Sequence, residues 1–240
     1  ILLTLLLSLE KMLSLICMKI SIIVPVYNEE LTLNKVLKQL DELDLGIEKE
    51  IIVIDDGSTD GTSEILSNKD LSNIITIAVE KNKGKGHSVR LGIQKASGNI
   101  ITIQDADLEY DPKDLTRLLE PIIDGRADVV YGSRFQGGHP HRMLYFWHSI
   151  GNRFLTFITN IVTNLNLSDM ETCYKMFKSE VIKGVDLYED RFGIEPEITC
   201  KISRIPNIRV FEVGISYYGR TFEDGKKIGW RDGLHAIFCI

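Results

Sequence analysis

The stretch ITIQDADLEYDP, residues 101–112, starts like a buried strand and ends with carboxylates at Asp105, Asp107, Glu109 and Asp111. Ile101 and Ile103 are β-branched and apolar, which suits the interior of a sheet. Acids at every second position repel one another unless a cation neutralises them. The meaning of this acidic strand end depends on the segments before and after it.

Working outward, short apolar runs alternate with amphipathic segments. Strands are predicted over 19–26, 50–56, 73–79, 99–105 and 127–133, with helices over 29–43, from Thr62, over 86–96, and after Pro112, a proline placed to open a helix. This alternation predicts an α/β fold with a mostly parallel sheet and right-handed crossovers. Ligands of such sheets bind beyond the carboxyl ends of the strands. Four polar loops fall there: PVYNEE, IDDGSTDG, KNKGKGHS and QDADLEYD. Past residue 135 the rhythm changes to a long helical pattern over 141–166, a strand-like CYKMF, a helix over 193–205 and a strand over 209–218.

Neither GxGxxG nor GxxxxGK[ST] occurs, so the glycine-loop routes to binding a pyrophosphate have no support. A divalent metal held by strand-end carboxylates is the alternative, because hard cations take oxygen ligands and bridge phosphate oxygens. Alternate residues of an extended segment project to one side, so DADLE supplies such ligands. The competing reading, a solvated acidic turn, accounts for Asp111 and Asp114 near a helix start but poorly for Asp105 and Asp107.

With 240 residues, 44% of them hydrophobic, the chain can fill one large core. A net charge of −6 argues against a nucleic-acid partner. Cys17, Cys173, Cys200 and Cys239 form no CxxC pair, which disfavours a zinc site or disulfide framework and fits a reducing compartment. His139 and His141 read as solvated loop residues. Residues 1–17 are apolar but broken by Glu10 and Lys11, too short to span a bilayer of about 30 Å. They read as an apolar leader outside a single domain of residues 18–240, with a nucleotide-binding half to about 135 and an acceptor half beyond it. No transmembrane helix is expected.

SIIVPVYNEE, VIDDGSTDGT, EKNKGKGHSVRLGI, QDADLEYDP and YGSRF, in this order, resemble the family 2 glycosyltransferases, and within them the polyprenyl-phosphate (dolichyl-phosphate) glucose and mannose synthases. SDMETCYKMFK, GIEPEIT and ISYYGRTFEDGKKIGWRDG fit the same branch, so the resemblance covers about residues 19–235. It implies a GT-A (Rossmann-like) fold and transfer of a hexose from a nucleotide diphosphate sugar to a polyprenyl phosphate, with inversion. It implies that Pro25, Tyr27, Asn28 and Glu29 line the base and ribose pocket, that Asp55 and Asp56 contact the nucleoside, and that Lys85 lies near them. Asp105, Asp107 and Glu109 are implied to meet Mg2+ or Mn2+ and the diphosphate; many mannose synthases carry Gln in place of Glu109. Arg134, Arg153 and Arg220 resemble the arginines that hold the acceptor phosphate. Asp169 takes the position of a base by the same analogy, or else anchors its loop. The catalytic set is thus Asp107, Asp169 and Arg134.

Elementary chemistry agrees with these roles. Guanidinium groups pair with phosphate through planar hydrogen bonds. An anionic acceptor approaching an anionic donor needs cations on both sides, and a phosphate monoester ionised near neutral pH needs no dedicated base. Glu195 and Glu197 are candidates for sugar hydroxyls or for helix N-terminal acids. The segment 141–166 exposes Met143, Phe146, Trp147, Ile150, Phe154 and Phe157 at helical spacing, opposite a face of His148, Asn152, Arg153, Thr156 and Asn160. By composition this is core packing or a dimer contact; the resemblance turns it into an interfacial helix on a membrane surface. The expected enzyme is peripheral on the cytosolic face. Rival readings are a family 2 enzyme with a polysaccharide acceptor and a catalytically inactive nucleotide-sugar-binding module.

Overall fold

A computed structural model describes residues 18–67, 74–137, 142, 145–219 and 230–240. The expected leader over 1–17, His139, His141, Met143 and Arg220 lie outside the described residues.

β1 (Lys19–Val26) reads KISIIVPV, and Ile20, Ile22, Ile23 and Val24 have no exposed surface. A strand so apolar on both faces belongs in the middle of a helix-covered parallel sheet. β1 lies between β2 (Glu48–Asp55) and β4 (Ile100–Ile103), parallel to both. β3 (Ile74–Ala78) adds to β2. The full order is β3-β2-β1-β4-β6-β5-β7. Consecutive strands therefore run one way from β1 to β3 and then cross back to β4. The crevice at that reversal, above the carboxyl ends of β1 and β4, is where such sheets bind ligands.

β6 (Lys175–Lys178) is antiparallel to both β4 and β5 (Val129–Ser133), whereas β7 (Val210–Gly214) pairs β5 in parallel. The alternating pattern predicts the parallel strands but not this insertion. Its effect is decisive for the site: β6 begins where β4 and β5 end, so the loop ahead of it joins the same crevice.

The helices are α1 (Leu33–Glu42), α2 (Thr62–Ser67), α3 (Lys85–Lys95), α4 (Leu115–Ile123), α5 (Phe146–Thr163), α6 (Ser179–Lys183), α7 (Ile194–Ile202) and α8 (Trp230–Cys239). α1 starts four residues later than its apolar pattern suggests, because 29–32 form a turn whose Glu29 carbonyl accepts from Leu33 N. The late strand stops at Gly214 rather than running to 218. Asp111 caps a short 3-10 turn (Pro112–Asp114) ahead of α4, accepting from Lys113 N at 3.0 Å. Asp114, expected to serve the helix dipole, instead clamps the chain after β7: it accepts from Ser216 N at 2.7 Å and pairs with Arg117 at 2.6 Å.

α3 approaches the sheet unusually closely. A Cβ on Gly92 would stand 2.4 Å from Ile23 Cγ2, so no larger side chain fits that contact.

α5 inverts the usual arrangement. Thr156 and Thr159 are buried, while Trp147 is 76% exposed, Phe146 67%, Phe157 61% and Phe154 52%. Its threonines face the body of the protein while these aromatic side chains face outward, so among the described residues core packing does not account for the aromatic stripe. Among the described residues no helix is long and apolar enough to cross a membrane.

Candidate functional site

The crevice floor is built by loops that hold one another. Asn28, in a left-handed conformation at φ 52, donates its N–H to Ser58 Oγ and accepts from Thr59 N at 2.8 Å. Glu29 N donates to Thr62 Oγ1 at 2.9 Å, and Glu30 accepts from Gly61 N. Asn and small polar residues suit such turns because their side chains bond locally to the main chain. The loop after β1 and the loop after β2 are thereby zipped together, with Pro25 opposite Ile54 in the strand register and Tyr27 half-buried beside them.

Asp55 and Asp56, both 3% exposed, are committed to the same scaffold. Asp55 accepts from Ser58 N at 3.0 Å and Ser63 Oγ at 2.7 Å. Asp56 accepts from the backbone N–H groups of Lys83 and Gly84, the latter at 2.7 Å. Gly84 sits at φ 110, and a Cβ on it would lie 2.4 Å from Asp190 O, so this loop needs glycine on both counts.

From that loop α3 starts at Lys85, whose ammonium reaches both oxygens of Asp105, at 2.9 and 3.0 Å, and Glu195 Oε1 at 2.9 Å. Burial works against this charge, yet Asp105 and Glu195 hold the Lys85 pKa well above lysine's ordinary value. Lys85 therefore bridges Asp105, just past β4, and Glu195 on α7.

The three proposed metal ligands do not converge. Asp105 is held by Lys85, Asp107 Oδ1 accepts from Glu109 N at 3.1 Å, and Glu109 Oε2 accepts from Tyr217 OH at 2.8 Å. Between them Leu108 takes a left-handed φ of 61, which turns Glu109 toward Tyr217. Among the described residues the ligand atoms that do gather within 4.8 Å are those of Glu189, His235 and Cys239, away from this loop in sequence. That trio is satisfied internally, with His235 Nε2 2.9 Å from Glu189 Oε2.

On the other side of the crevice stands Arg134. Its Nε and Nη2 bond the two oxygens of Asp169, each at 2.7 Å, and its backbone N adds a third contact at 3.0 Å. Asp169 has no exposed surface, and Asn152 Nδ2 on α5 donates to it at 3.1 Å. Burial alone would raise the Asp169 pKa, but the Arg134 guanidinium outweighs it and holds the carboxyl below its ordinary value. In this geometry Asp169 anchors Arg134. Arg153, exposed on α5, lies over the Phe135 ring at 5.4 Å, next to Arg134 in the chain.

Tyr110, Tyr174 and Tyr217 form a buried aromatic cluster next to Arg134. Tyr110 meets the other two at ring separations of 4.9 and 5.4 Å, and Arg134 lies 5.3 Å over Tyr217. Tyr174 OH donates to Gln104 Oε1 at 2.5 Å.

Several participants are invisible in the sequence pattern. Glu212 on β7 holds the backbone N–H groups of Ser168 and Asp169, and Arg142 donates to Gly219 O at 2.8 Å. Lys175, wholly buried, donates to the carbonyls of Met170 and Thr172. Glu197 accepts from Tyr188 N and Glu189 N and pairs with Lys201, so it braces a loop. The signal that could have exposed Glu171 and Lys175 was their position just ahead of β6 and at its first residue, which has value only once β6 is known to be antiparallel.

The glycosyl transferase family 2 model matches residues 21–185. A dolichol-phosphate mannosyltransferase of Pyrococcus furiosus is 30% identical over 217 residues, covering 88% of this chain and 61% of that protein. An uncharacterized protein of Methanocaldococcus jannaschii is 31% identical over 232 residues, covering 92% and 93%. The chain thus spans less than two thirds of the length of the mannosyltransferase but nearly all of the second relative. Among solved structures, glucosyl-3-phosphoglycerate synthase of Mycobacterium tuberculosis with Mn2+, UDP and phosphoglyceric acid superposes with a TM-score of 0.72 at 18% identity, covering 93% of this chain and 77% of that one. That likeness establishes the GT-A type of fold.

Proposed function

The chain belongs to glycosyl transferase family 2, and we propose that it moves a hexose from a nucleotide diphosphate sugar to a polyprenyl phosphate at a membrane surface, with inversion. One observation carries this reading. α5 turns Phe146, Trp147, Phe154 and Phe157 outward, while Asn152 of the same helix grips the Asp169 that holds Arg134. A cation for an anionic head beside an apolar surface for a tail suits an amphiphilic phosphate. The mannosyltransferase relative of Pyrococcus furiosus supports the same acceptor class.

The donor side lies across the crevice. Pro25, Tyr27, Asn28 and Glu29 form the base and ribose wall, with Asp55 and Asp56 fixing the loops that shape it. Asp105 and Asp107 would hold a divalent metal, Mg2+ or Mn2+, because carboxylate oxygens are the hard donors such an ion takes. The neighbour solved with Mn2+ and UDP supports that chemistry. The metal, when bound, neutralises the diphosphate leaving group. Glu109, whose Oε2 accepts from Tyr217 OH, would join them as a ligand only with that hydrogen bond open. Lys85 supplies a fixed positive charge at Asp105.

In the transfer, an acceptor phosphate oxygen forms the new bond to the anomeric carbon as the bond to the diphosphate oxygen breaks. Arg134, with Arg153 and Arg220, orients that nucleophile and screens its charge from the donor. Because the oxygen is already anionic, Asp169 is not needed as a base, and its ion pair with Arg134 gives it a positioning role. UDP-glucose is the donor we place first, because GIEPEIT and YYGRTFEDGKK resemble the glucose-type branch.

The test supplies radiolabelled UDP-glucose, GDP-mannose or UDP-N-acetylglucosamine with Mn2+, vesicles and polyprenyl phosphate. Label is expected in the organic-extractable lipid fraction for one donor. Label found only in polysaccharide would move the acceptor assignment to the rival family 2 chemistry.

A further inference from the structure

Glu171 lies in the segment that leads from α5 into β6, and the antiparallel β6 places this segment at the carboxyl ends of β4 and β5. Its main chain is pinned on both sides. Lys175 Nζ donates to the carbonyls of Met170 and Thr172, and Met170 N donates to Thr156 Oγ1 at 3.1 Å. The side chain is not so served: Glu171 Oε1 is sealed from solvent and has no hydrogen-bond partner among the described residues.

The charged groups that face Glu171 are Glu195 and Asp169, which oppose its charge, and Lys175 and Arg134, which favour it. Each is occupied elsewhere: Glu195 by Lys85, Asp169 and Arg134 by one another, and Lys175 by two carbonyls. The fold therefore keeps a carboxylate oxygen in a costly state. That oxygen lies within electrostatic reach of Glu195, which Lys85 pairs, and of Arg134 and Asp169, which pair each other. Under the reading above, the sugar being transferred lies beside these groups, and a sugar brings hydroxyl donors.

We propose that Glu171 Oε1 accepts a hydrogen bond from a hydroxyl of the hexose and helps select which nucleotide sugar the enzyme uses. This rests on the donor reading of the same site. Burial, and then the Glu195 charge, push the Glu171 carboxyl up to about 7. A hydroxyl donating to the ionised form pulls it back toward the ordinary range. A site built to bond a hydroxyl also rejects a donor that lacks it in the right place.

The experiment compares the wild type with Glu171→Ala and Glu171→Gln by calorimetry in Mn2+. The ligands are UDP, UDP-glucose, GDP, GDP-mannose and UDP-N-acetylglucosamine. The quantity read is the affinity of the best nucleotide sugar divided by that of its own nucleotide diphosphate. In Glu171→Ala this ratio is expected to fall by about 10-fold or more, as for loss of a hydrogen bond to a charged group. Glu171→Gln, whose amide oxygen still accepts, should keep most of it. Affinity for the bare diphosphates should stay the same in all three proteins. A ratio unchanged in Glu171→Ala overturns the assignment, and so does a parallel loss of diphosphate affinity, which marks a scaffold role. A wild type that binds diphosphates but favours none of the sugars overturns the donor reading itself.

Discussion

Arg134 and Asp169 meet through two parallel hydrogen bonds of 2.7 Å each, with the carboxylate wholly buried and the guanidinium side chain only 12% exposed. Such a pair fixes the guanidinium plane and leaves Nη1 outside the contact. Removing one partner of a buried pair strands the other charge, at a cost of about 3–5 kcal/mol. Asp169→Ala should therefore lower the unfolding free energy measured by urea titration by that order, while Asp169→Ala with Arg134→Met should cost less than the sum of the single changes. Additive losses in this double-mutant cycle would show that the two residues do not act as a unit.

Lys85 neutralises Asp105 and Glu195 together. Lys85→Ala leaves those carboxylates without their cation, so the metal-free variant should melt below the wild type. An added divalent ion then meets more uncompensated charge, and Mn2+ should raise the melting temperature of the variant more than that of the wild type. Equal Mn2+ responses in the two proteins would count against a shared cation position at Asp105.

Trp147 and Phe157 project from α5 and are largely exposed among the described residues. Burying an aromatic side chain contributes about 1.5–3 kcal/mol. The double substitution Trp147→Ser, Phe157→Ser should leave the thermal midpoint nearly unchanged and cut co-sedimentation with phospholipid vesicles by about 10-fold or more. Unaltered sedimentation would remove the membrane from the role of α5.

Glu50 is a buried acid at the opposite end of the sheet, bonded by Ser21 and Ser97 and paired with Lys19 at 2.9 Å. Burial opposes its charge, but these bonds lower its pKa to about 2, below the ordinary 4.5. A depressed carboxyl contributes stability that is present above the unfolded pKa and is lost as pH falls through the folded one. The gap in urea midpoint between wild type and Glu50→Gln should thus be full above about pH 5.5 and close between pH 4.5 and 2. A gap that persists at pH 2 would assign the effect to packing.

How much of this was legible follows from the range of each interaction. β1 to β5, most of their helices and the loops at one edge were readable, because alternation of apolar strands with amphipathic helices is a local signal. The acidic end of β4 was readable in part: Asp105 does follow β4 and pairs with Lys85, and Asp111 does cap the following turn. The start of α1 was missed because the bond from Leu33 N to the Glu29 carbonyl makes a turn with helix-like spacing. The apolar spacing of α5 was readable, but its direction was not, since an amphipathic pattern states that two faces differ and not which one meets the core.

Local pattern alone carries the sheet-and-helix order, the edge at which polar loops gather and the family resemblance of those loops. That β6 runs backwards between β4 and β5, which brings the segment of Asp169 and Glu171 to the carboxyl ends of those strands, is set by tertiary packing. It also decided that Glu109 turns to Tyr217, that Lys85 bridges Asp105 and Glu195, and that Asp169 is spent on Arg134. The physical reason is the same in each case. Charge pairing and hydrogen bonding act between atoms a few ångströms apart whose residues are 20 to 110 positions apart in the chain, and no local periodicity encodes that separation.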